Sequence, residues 1–281
     1  MNEVVFLNGK LVAKSEAFVS PEDRGFNFAD GVYEVVKYYR GKPFRFNDHL
    51  ARLKRSLHEV RIELEDLEQF EGIFHNLLEQ NGLAGEEAGV YLQITRGSHQ
   101  RIHRFPLNIK PTVYAWAFPF SSKPDQLDHG VKVITADDIR WLRCDIKSIA
   151  LLPNVLYAQK AEENGSAEVI FIRNGVVTEA SHSNVIGVKN GALVTHPDSN
   201  LILPGITKKV VKEICQSNGI RFIEEGIQAS VLHELDEMIL VGTGSEITPV
   251  VNIDGFVVGD GQPGSLTRFI QEKFFEQTRL L

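Results

Sequence analysis

Apolar and polar positions alternate with two distinct periods along the chain, marking short strands and amphipathic helices. Residues 4–12 alternate on either side of Asn8-Gly9, and strands are expected at 31–40 and 43–46, joined by a turn at Gly41. Asn47 or Asp48 can cap a helix running to Val60. A second helix over 65–80 carries Leu67, Phe70, Phe74, Leu77 and Leu78 at helical spacing. Strands follow at 90–95 and 112–118. The run PFSSKPDQLDHG is polar, holds two prolines and lacks periodicity, as a linker would. Beyond it the pattern predicts a strand at 132–135, a helix at 153–163, and hairpins at 168–178 and 184–195. Then come a helix at 206–217, a strand at 221–224, a helix at 229–235, a strand at 238–241, a hairpin at 247–258 and a last helix at 265–277.

The Asn-Gly pairs punctuate these elements in two ways. Asn8-Gly9, Asn174-Gly175 and Asn190-Gly191 each join two apolar runs and read as hairpin turns. Asn81-Gly82, Asn164-Gly165 and Asn218-Gly219 each follow an amphipathic run and read as helix C-caps. Strands and helices in blocks indicate an α+β fold. Residues 1–119 form a small α/β domain, 120–130 a linker, and 131–281 a larger domain. The many short antiparallel strands of that larger domain suggest a pseudo-barrel with outer helices.

Composition narrows the function classes. At 281 residues with 43% hydrophobic content, the chain can bury a sizeable core. A net charge of −7 provides no global field for nucleic acid or an anionic membrane. No segment reaches transmembrane length, and the N-terminal apolar run is too short for a signal peptide. Two cysteines without metal-like spacing fit a reducing, cytoplasmic setting. The nine histidines show no metal-ligand grouping, so no metal is expected. Gly259–Gly264 matches G-x-G-x-x-G between a strand and a helix, but too few residues follow for a dinucleotide-binding unit, so it reads as a turn.

Candidate chemistry centres on Lys147 in DDIRWLRCDIKS, between a charged segment and the apolar run SIALLPNVLYA. Burial lowers a lysine pKa and frees the amine for Schiff-base chemistry, although a solvated lysine at an element boundary has the same local pattern. Glu179 leaves a hairpin strand into the small hydroxyl cluster of VTEASHSN, where a carboxylate could pair with a protonated ring nitrogen. Leu203-Pro204-Gly205-Ile206-Thr207 opens a helix whose free amides could hold an anion. Gly242–Glu246 (GTGSE) follows an apolar strand and presents small residues suited to a phosphate. In TRGSHQRIHRFP, Arg101 and His103 face one side if the segment is extended, which would make a carboxylate trap. Each of these pieces is also compatible with an ordinary turn, cap or basic loop.

Together they resemble the fold type IV pyridoxal-phosphate enzymes, and within them the bacterial D-amino-acid aminotransferases. The matching runs are EDRGFNFADGVYEVVK, RIHRFP, DIRWLRCDIKS, VTEASHSNV, Gly205–Thr207 and SEITPV, in the family's order across nearly the whole chain. The resemblance implies a transaminase that moves an amino group from a D-amino acid such as D-alanine to 2-oxoglutarate or pyruvate by a ping-pong mechanism. It implies pyridoxal 5′-phosphate held as a Schiff base on Lys147, which also moves the proton. Glu179 would pair with the pyridine nitrogen. Arg52, Ile206, Thr207 and Thr243 would bind the phosphate, with His182, Ser183 and Leu203 also bordering the cofactor. Tyr33 would line the substrate side. Arg101 and His103 would take the substrate carboxylate from the neighbouring subunit of a homodimer.

His182, Pro204, Gly242 and Gly244 depart from the D-specific pattern and bear on substrate range. A branched-chain aminotransferase or an aminodeoxychorismate lyase is the alternative within the fold, with the Arg-x-His pair counting against both. A protein that binds the cofactor or an acidic metabolite without turnover is a third reading, opposed by the joint presence of Lys147 and Glu179.

Overall fold

The structure, a computed structural model, describes residues 3–281. Its described residues divide into two compact units, one comprising 3–121, 146–150 and 281, the other 122–145 and 151–280.

The first unit is built on β1 (Val4–Leu7), β2 (Lys10–Ala13), β3 (Gly31–Tyr39), β4 (Lys42–Pro43), β5 (Ala88–Thr95) and β6 (Thr112–Pro119). They form one antiparallel sheet in the order β2-β1-β6-β5-β3-β4. Its helices are α1 (Arg24–Phe28), α2 (Phe46–Val60) and α3 (Phe70–Gln80). Leu53 and Leu57 of α2 and Phe70, Phe74, Leu77 and Leu78 of α3 pack with Val32, Val36, Val90, Leu92 and Ile94 of the sheet. The helical period of the apolar residues thus meets the two-residue period of the strands in one core.

Three local details differ from the sequence expectation. The one-turn helix α1 was not expected; Asp23 caps it by accepting from the Gly25 amide at 2.8 Å. Helix α2 is not capped by Asn47 or Asp48. Arg45 precedes it at φ +57° with no side-chain cap, and Asp48 lies in the first turn, 3.5 Å from the Arg45 guanidinium. The helix expected over 65–80 begins with a 3-10 turn, Leu67–Gln69, before α3.

The second unit contains α4 (Pro124–His129), β7 (Val131–Asp137), α5 (Leu152–Glu163), β8 (Glu168–Arg173), β9 (Val176–Ala180), β10 (Asn184–Lys189) and β11 (Ala192–Thr195). It continues with α6 (Ile206–Ser217), β12 (Phe222–Glu224), β13 (Glu237–Gly242), β14 (Glu246–Ile253), β15 (Phe256–Val257) and α7 (Ser265–Arg279). The residues expected to form a structureless linker instead include α4, which is tied down by α7. Arg268 and Gln271 both donate to the Leu127 carbonyl, at 2.9 and 3.0 Å.

The nine strands run β12-β11-β10-β13-β14-β7-β8-β9, with β15 on β14. The sheet is mixed, not purely antiparallel: β7/β8, β11/β12 and β14/β7 are parallel. Parallel neighbours need a crossover, and α5 and α6 supply it for the first two pairs. Edge strand β9 is separated from β10, in the interior of the sheet, only by residues 181–183, and the Ala180 amide donates to the Ser183 carbonyl at 2.7 Å. That connection requires the sheet to curl back on itself as a half-barrel.

The hairpins form at the expected Asn-Gly pairs. Asn8, Asn174 and Asn190 have φ near +50°, each followed by a glycine at positive φ, the twist that a tight hairpin demands.

Candidate active site

Lys147 lies in the short segment 146–150, which joins the first unit because it pairs with the start of β3. Tyr33 N donates to Lys147 O at 2.9 Å, and Ile149 N to Gly31 O at 3.1 Å. A Cβ on Gly31 would stand 2.7 Å from Ile94 O and 3.0 Å from Ile149 Cδ1, so only glycine lets both strands approach. Ile146 is buried in the core and Ser148 beside β3, while Lys147 is half-buried, its amide donating to Ser56 Oγ at 3.2 Å. Its amine sits 4.2 Å from the centroid of the Tyr33 ring. Tyr33 stacks on Tyr91 at 5.5 Å, and Tyr91 on Trp116 at 4.1 Å, an aromatic row that fixes the ring.

Next to Tyr33, on the opposite face of β3, is the buried Glu34. Arg52 grips it from α2 with two bonds, Nε to Oε1 at 2.7 Å and Nη2 to Oε2 at 2.9 Å. His49 Nδ1 is 2.9 Å from Oε2. Burial pushes the Glu34 carboxyl up, but Arg52 and His49 outweigh it and hold it far below the usual carboxylate range. Burial pushes His49 down, with the charges of Arg52 and Lys147 adding to the effect against the pull of Glu34. Arg52 therefore has its guanidinium plane set by an internal carboxylate. Sequence reasoning missed Glu34 and His49. The available signal was a carboxylate at a core-facing position between Val32 and Val36.

Arg101 and His103 lie on an irregular loop, not an extended strand, and both are exposed. They nonetheless converge on one ring. The Arg101 guanidinium is 4.9 Å and the His103 ring 5.5 Å from the centroid of Phe28.

In the second unit, Glu179 at the end of β9 is buried among donors. Arg140 Nη1 pairs with Oε1, while Asn184 Nδ2 at 3.1 Å and the Leu203 amide at 3.0 Å donate to Oε2. Burial pushes the Glu179 carboxyl up, against the opposing pull of Arg140 and the Leu203 amide. Arg140 is itself locked by Asp138, with Nε and Nη2 donating at 2.9 and 2.8 Å, and stacks over Phe171 at 4.5 Å. Arg140, Asp138 and Asn184 were not expected in the site, although all three lie in the runs that carry the family resemblance.

Leu203 contributes through its backbone, since its carbonyl also accepts from Asn184 at 2.9 Å. Gly205 follows, and a Cβ there would stand 1.8 Å from Asn184 Oδ1. Ile206 and Thr207 then open α6, both buried, with no side chain capping the helix and no acidic residue in its first turn. Helix α7 has the opposite arrangement. Glu237 accepts from its Leu266 and Thr267 amides at 3.0 and 2.7 Å, against Gly264 of the G-x-G-x-x-G run. A carboxylate already takes those amides, so that glycine run is not an anion site, whereas the start of α6 has the donor character a phosphate needs.

Thr243 occupies the turn after β13. Ser245 in the same turn is 2.6 Å from Ser183 Oγ, which donates to the buried Glu168 at 2.6 Å. His182 donates its amide to Glu168 at 2.9 Å and holds its Nε2 3.3 Å from the same carboxylate, with the ring largely exposed. Among the described residues, no group of His, Cys, Asp and Glu could hold a metal. Among them, too, no helix is long and apolar enough to cross a membrane.

The first unit thus presents a primary amine against an aromatic row, and the second a buried carboxylate braced by an arginine and an uncapped helix start. The chain belongs to the class IV amino-transferase family, which it matches over residues 31–253. It is 42% identical over 268 residues to a D-alanine aminotransferase of Bacillus licheniformis, covering 95% of this chain and 94% of that one. It is 43% identical over 272 residues to a D-alanine aminotransferase of Staphylococcus haemolyticus, covering 96% of each. Among solved structures it superposes on the branched-chain amino acid aminotransferase of Escherichia coli with a TM-score of 0.91 at 26% identity, covering 98% of this chain and 94% of that one.

Proposed function

We propose that this aminotransferase uses pyridoxal 5′-phosphate to transfer an amino group from a D-amino acid, D-alanine among them, to a 2-oxo acid. The observation that carries the choice is the 42–43% identity, over almost the full length of both chains, to enzymes named for D-alanine. Likeness to the branched-chain enzyme is similarly complete in fold but much lower in sequence, at 26% identity.

The donor set fits the cofactor. Lys147 supplies the amine that an aldehyde requires. In this reading the uncapped start of α6, at Ile206 and Thr207, would supply amides for the phosphate, with Thr243 and the Arg52 guanidinium, which Glu34 orients, as its further donors. Glu179, braced by Arg140, would hold a proton on the ring nitrogen. Ser183, His182 and Leu203 would border the ring. Bound pyridoxal 5′-phosphate supplies the electron sink that makes an α-proton labile and stores the amino group between half-reactions. Lys147 moves the proton from the substrate α-carbon, and the Tyr33 ring beneath its amine limits where that amine can swing. Arg101 and His103 take the substrate carboxylate. In this reading they act across a homodimer, and the enzyme works in the cytoplasm.

Purified protein loaded with the cofactor should convert D-alanine and 2-oxoglutarate to pyruvate and glutamate, and Lys147→Ala should lose both this activity and the visible absorbance of the bound cofactor. Reaction with L-leucine but not D-alanine would overturn the substrate assignment. Pyruvate release without an amino acceptor would point to a lyase. Mixing inactive Lys147→Ala and Arg101→Ala chains should regenerate activity if the carboxylate loop serves the neighbouring subunit, and should not otherwise.

A further inference from the structure

The loop carrying Arg101 and His103 has no regular secondary structure, and its two functional side chains are exposed. Flexible side chains on such a loop would bind a carboxylate only after paying the entropy of being ordered. Both side chains meet one aromatic ring, and an arginine holds the backbone between them. Arg24 and Phe28 stand four residues apart on α1 and share a face, with the Arg24 guanidinium 4.7 Å from the centroid of the Phe28 ring. Phe28 in turn meets Arg101 at 4.9 Å and His103 at 5.5 Å. Arg24 holds the loop backbone between them, with Nη1 donating to Ile102 O at 2.6 Å and Nη2 to His103 O at 3.4 Å.

This anchor is fixed from below. Arg24, 3% exposed, donates Nε to Asp30 Oδ2 at 2.7 Å. Arg96 donates to both oxygens of Asp30, at 2.8 and 2.9 Å, and to the Arg61 and Val60 carbonyls at 2.8 and 2.6 Å. Its guanidinium also lies 3.6 Å from the centroid of Phe105, two residues beyond His103 on the same loop. Asp30 thus joins two arginines, one gripping the loop by its carbonyls and the other by its aromatic side chain.

We propose that Phe28, held by Arg24, is a positioning residue that presents Arg101 and His103 as a preformed clamp for the substrate carboxylate. The inference rests on the D-amino-acid reading for what the clamp binds. Removing the aromatic face while keeping an apolar side chain loosens both side chains without touching Lys147, Tyr33 or the cofactor residues. Replacing it with another aromatic residue preserves the clamp.

The test uses the cofactor-loaded enzyme and compares wild type with Phe28→Leu, Phe28→Tyr and Arg24→Lys. Two readouts are the KM and kcat for D-alanine and the calorimetric Kd for propionate, a carboxylate without an amino group. Phe28→Leu should raise both the KM and the propionate Kd roughly 5- to 30-fold, the range for two cation–π or ring contacts, with kcat within about twofold. Phe28→Tyr should stay within about threefold of wild type. Arg24→Lys, which keeps the charge beside Asp30 but loses the forked grip on two carbonyls, should show the same KM-only signature. Unchanged propionate binding in Phe28→Leu, equal impairment of Phe28→Tyr, or a fall in kcat matching the rise in KM would overturn the inference. Absence of D-alanine turnover by wild type would instead strike the parent reading, and the propionate series would still decide the role of Phe28.

Discussion

Arg52→Met should lower stability and also reverse the sign of what the Glu34 cluster contributes to its dependence on pH. In the wild-type protein the buried Glu34 carboxylate is bonded twice by Arg52 and once by His49. His49 has a folded pKa below its ordinary 6.5, set first by burial. A base whose folded pKa is depressed contributes stability that is present above the unfolded pKa and lost as pH falls through the folded one. Glu34, whose folded pKa is also depressed, acts in the same direction at lower pH. Wild-type stability from this cluster therefore falls on acidification, beginning below about 6.5.

Removing Arg52 leaves a buried carboxylate with a single imidazole partner. Deleting one member of a buried ion pair costs about 3–5 kcal/mol. The remaining pair can offset part of that cost by binding one proton, on His49 or on Glu34. Either choice means a folded-state pKa raised above the unfolded value, so the compensating stability is present at low pH and lost as pH rises. One proton taken up on folding is worth about 1.4 kcal/mol per pH unit, so up to about 3 kcal/mol could separate pH 5.5 from pH 8. Urea unfolding of the cofactor-free protein at both pH values, followed by far-ultraviolet circular dichroism, measures this directly. The variant should approach wild type at pH 5.5 and fall well below it at pH 8. An equal loss at the two pH values would show that the cluster is not electrostatically coupled as described.

Three further outcomes follow from the geometry of the second unit. Gly205→Ala would place a methyl group 1.8 Å from Asn184 Oδ1, displacing the amide that bonds Glu179 and Leu203, and should cost about 1–3 kcal/mol in thermal unfolding while weakening cofactor binding in a fluorescence titration. Glu179→Gln removes the ion pair with Arg140 and the anion meant for the ring nitrogen, and should lower kcat by roughly 10²-fold or more with the protein still folded by circular dichroism. Cys144 and Cys215 are both buried, and burial pushes each thiol up to about 11, so a thiol reagent at pH 8 should label neither in the native protein and both in urea.

Local chemistry wrote much of this architecture into the sequence. The three Asn-Gly hairpins form where expected because both residues tolerate positive φ, a requirement settled within four residues. Helix α6 spans the predicted 206–217 because Gly205 and Asn218-Gly219 bound a clean amphipathic run. Lys147, Glu179 and the Arg-x-His pair were legible as candidates from residue type and order. Other features lay beyond any local signal. Glu34 joins His49 and Arg52 from 15 and 18 residues away, and Arg24 reaches Ile102 across 78. The assignment of 146–150 to the first unit depends on pairing with Gly31 and Tyr33, more than a hundred residues earlier. Two of the three parallel strand pairs likewise follow from how α5 and α6 cross the sheet. Turns and caps are determined by backbone conformations of adjacent residues, which the sequence states directly. Which buried charge meets which partner is determined by the cost of leaving it unpaired, and only the folded chain brings the partners within reach.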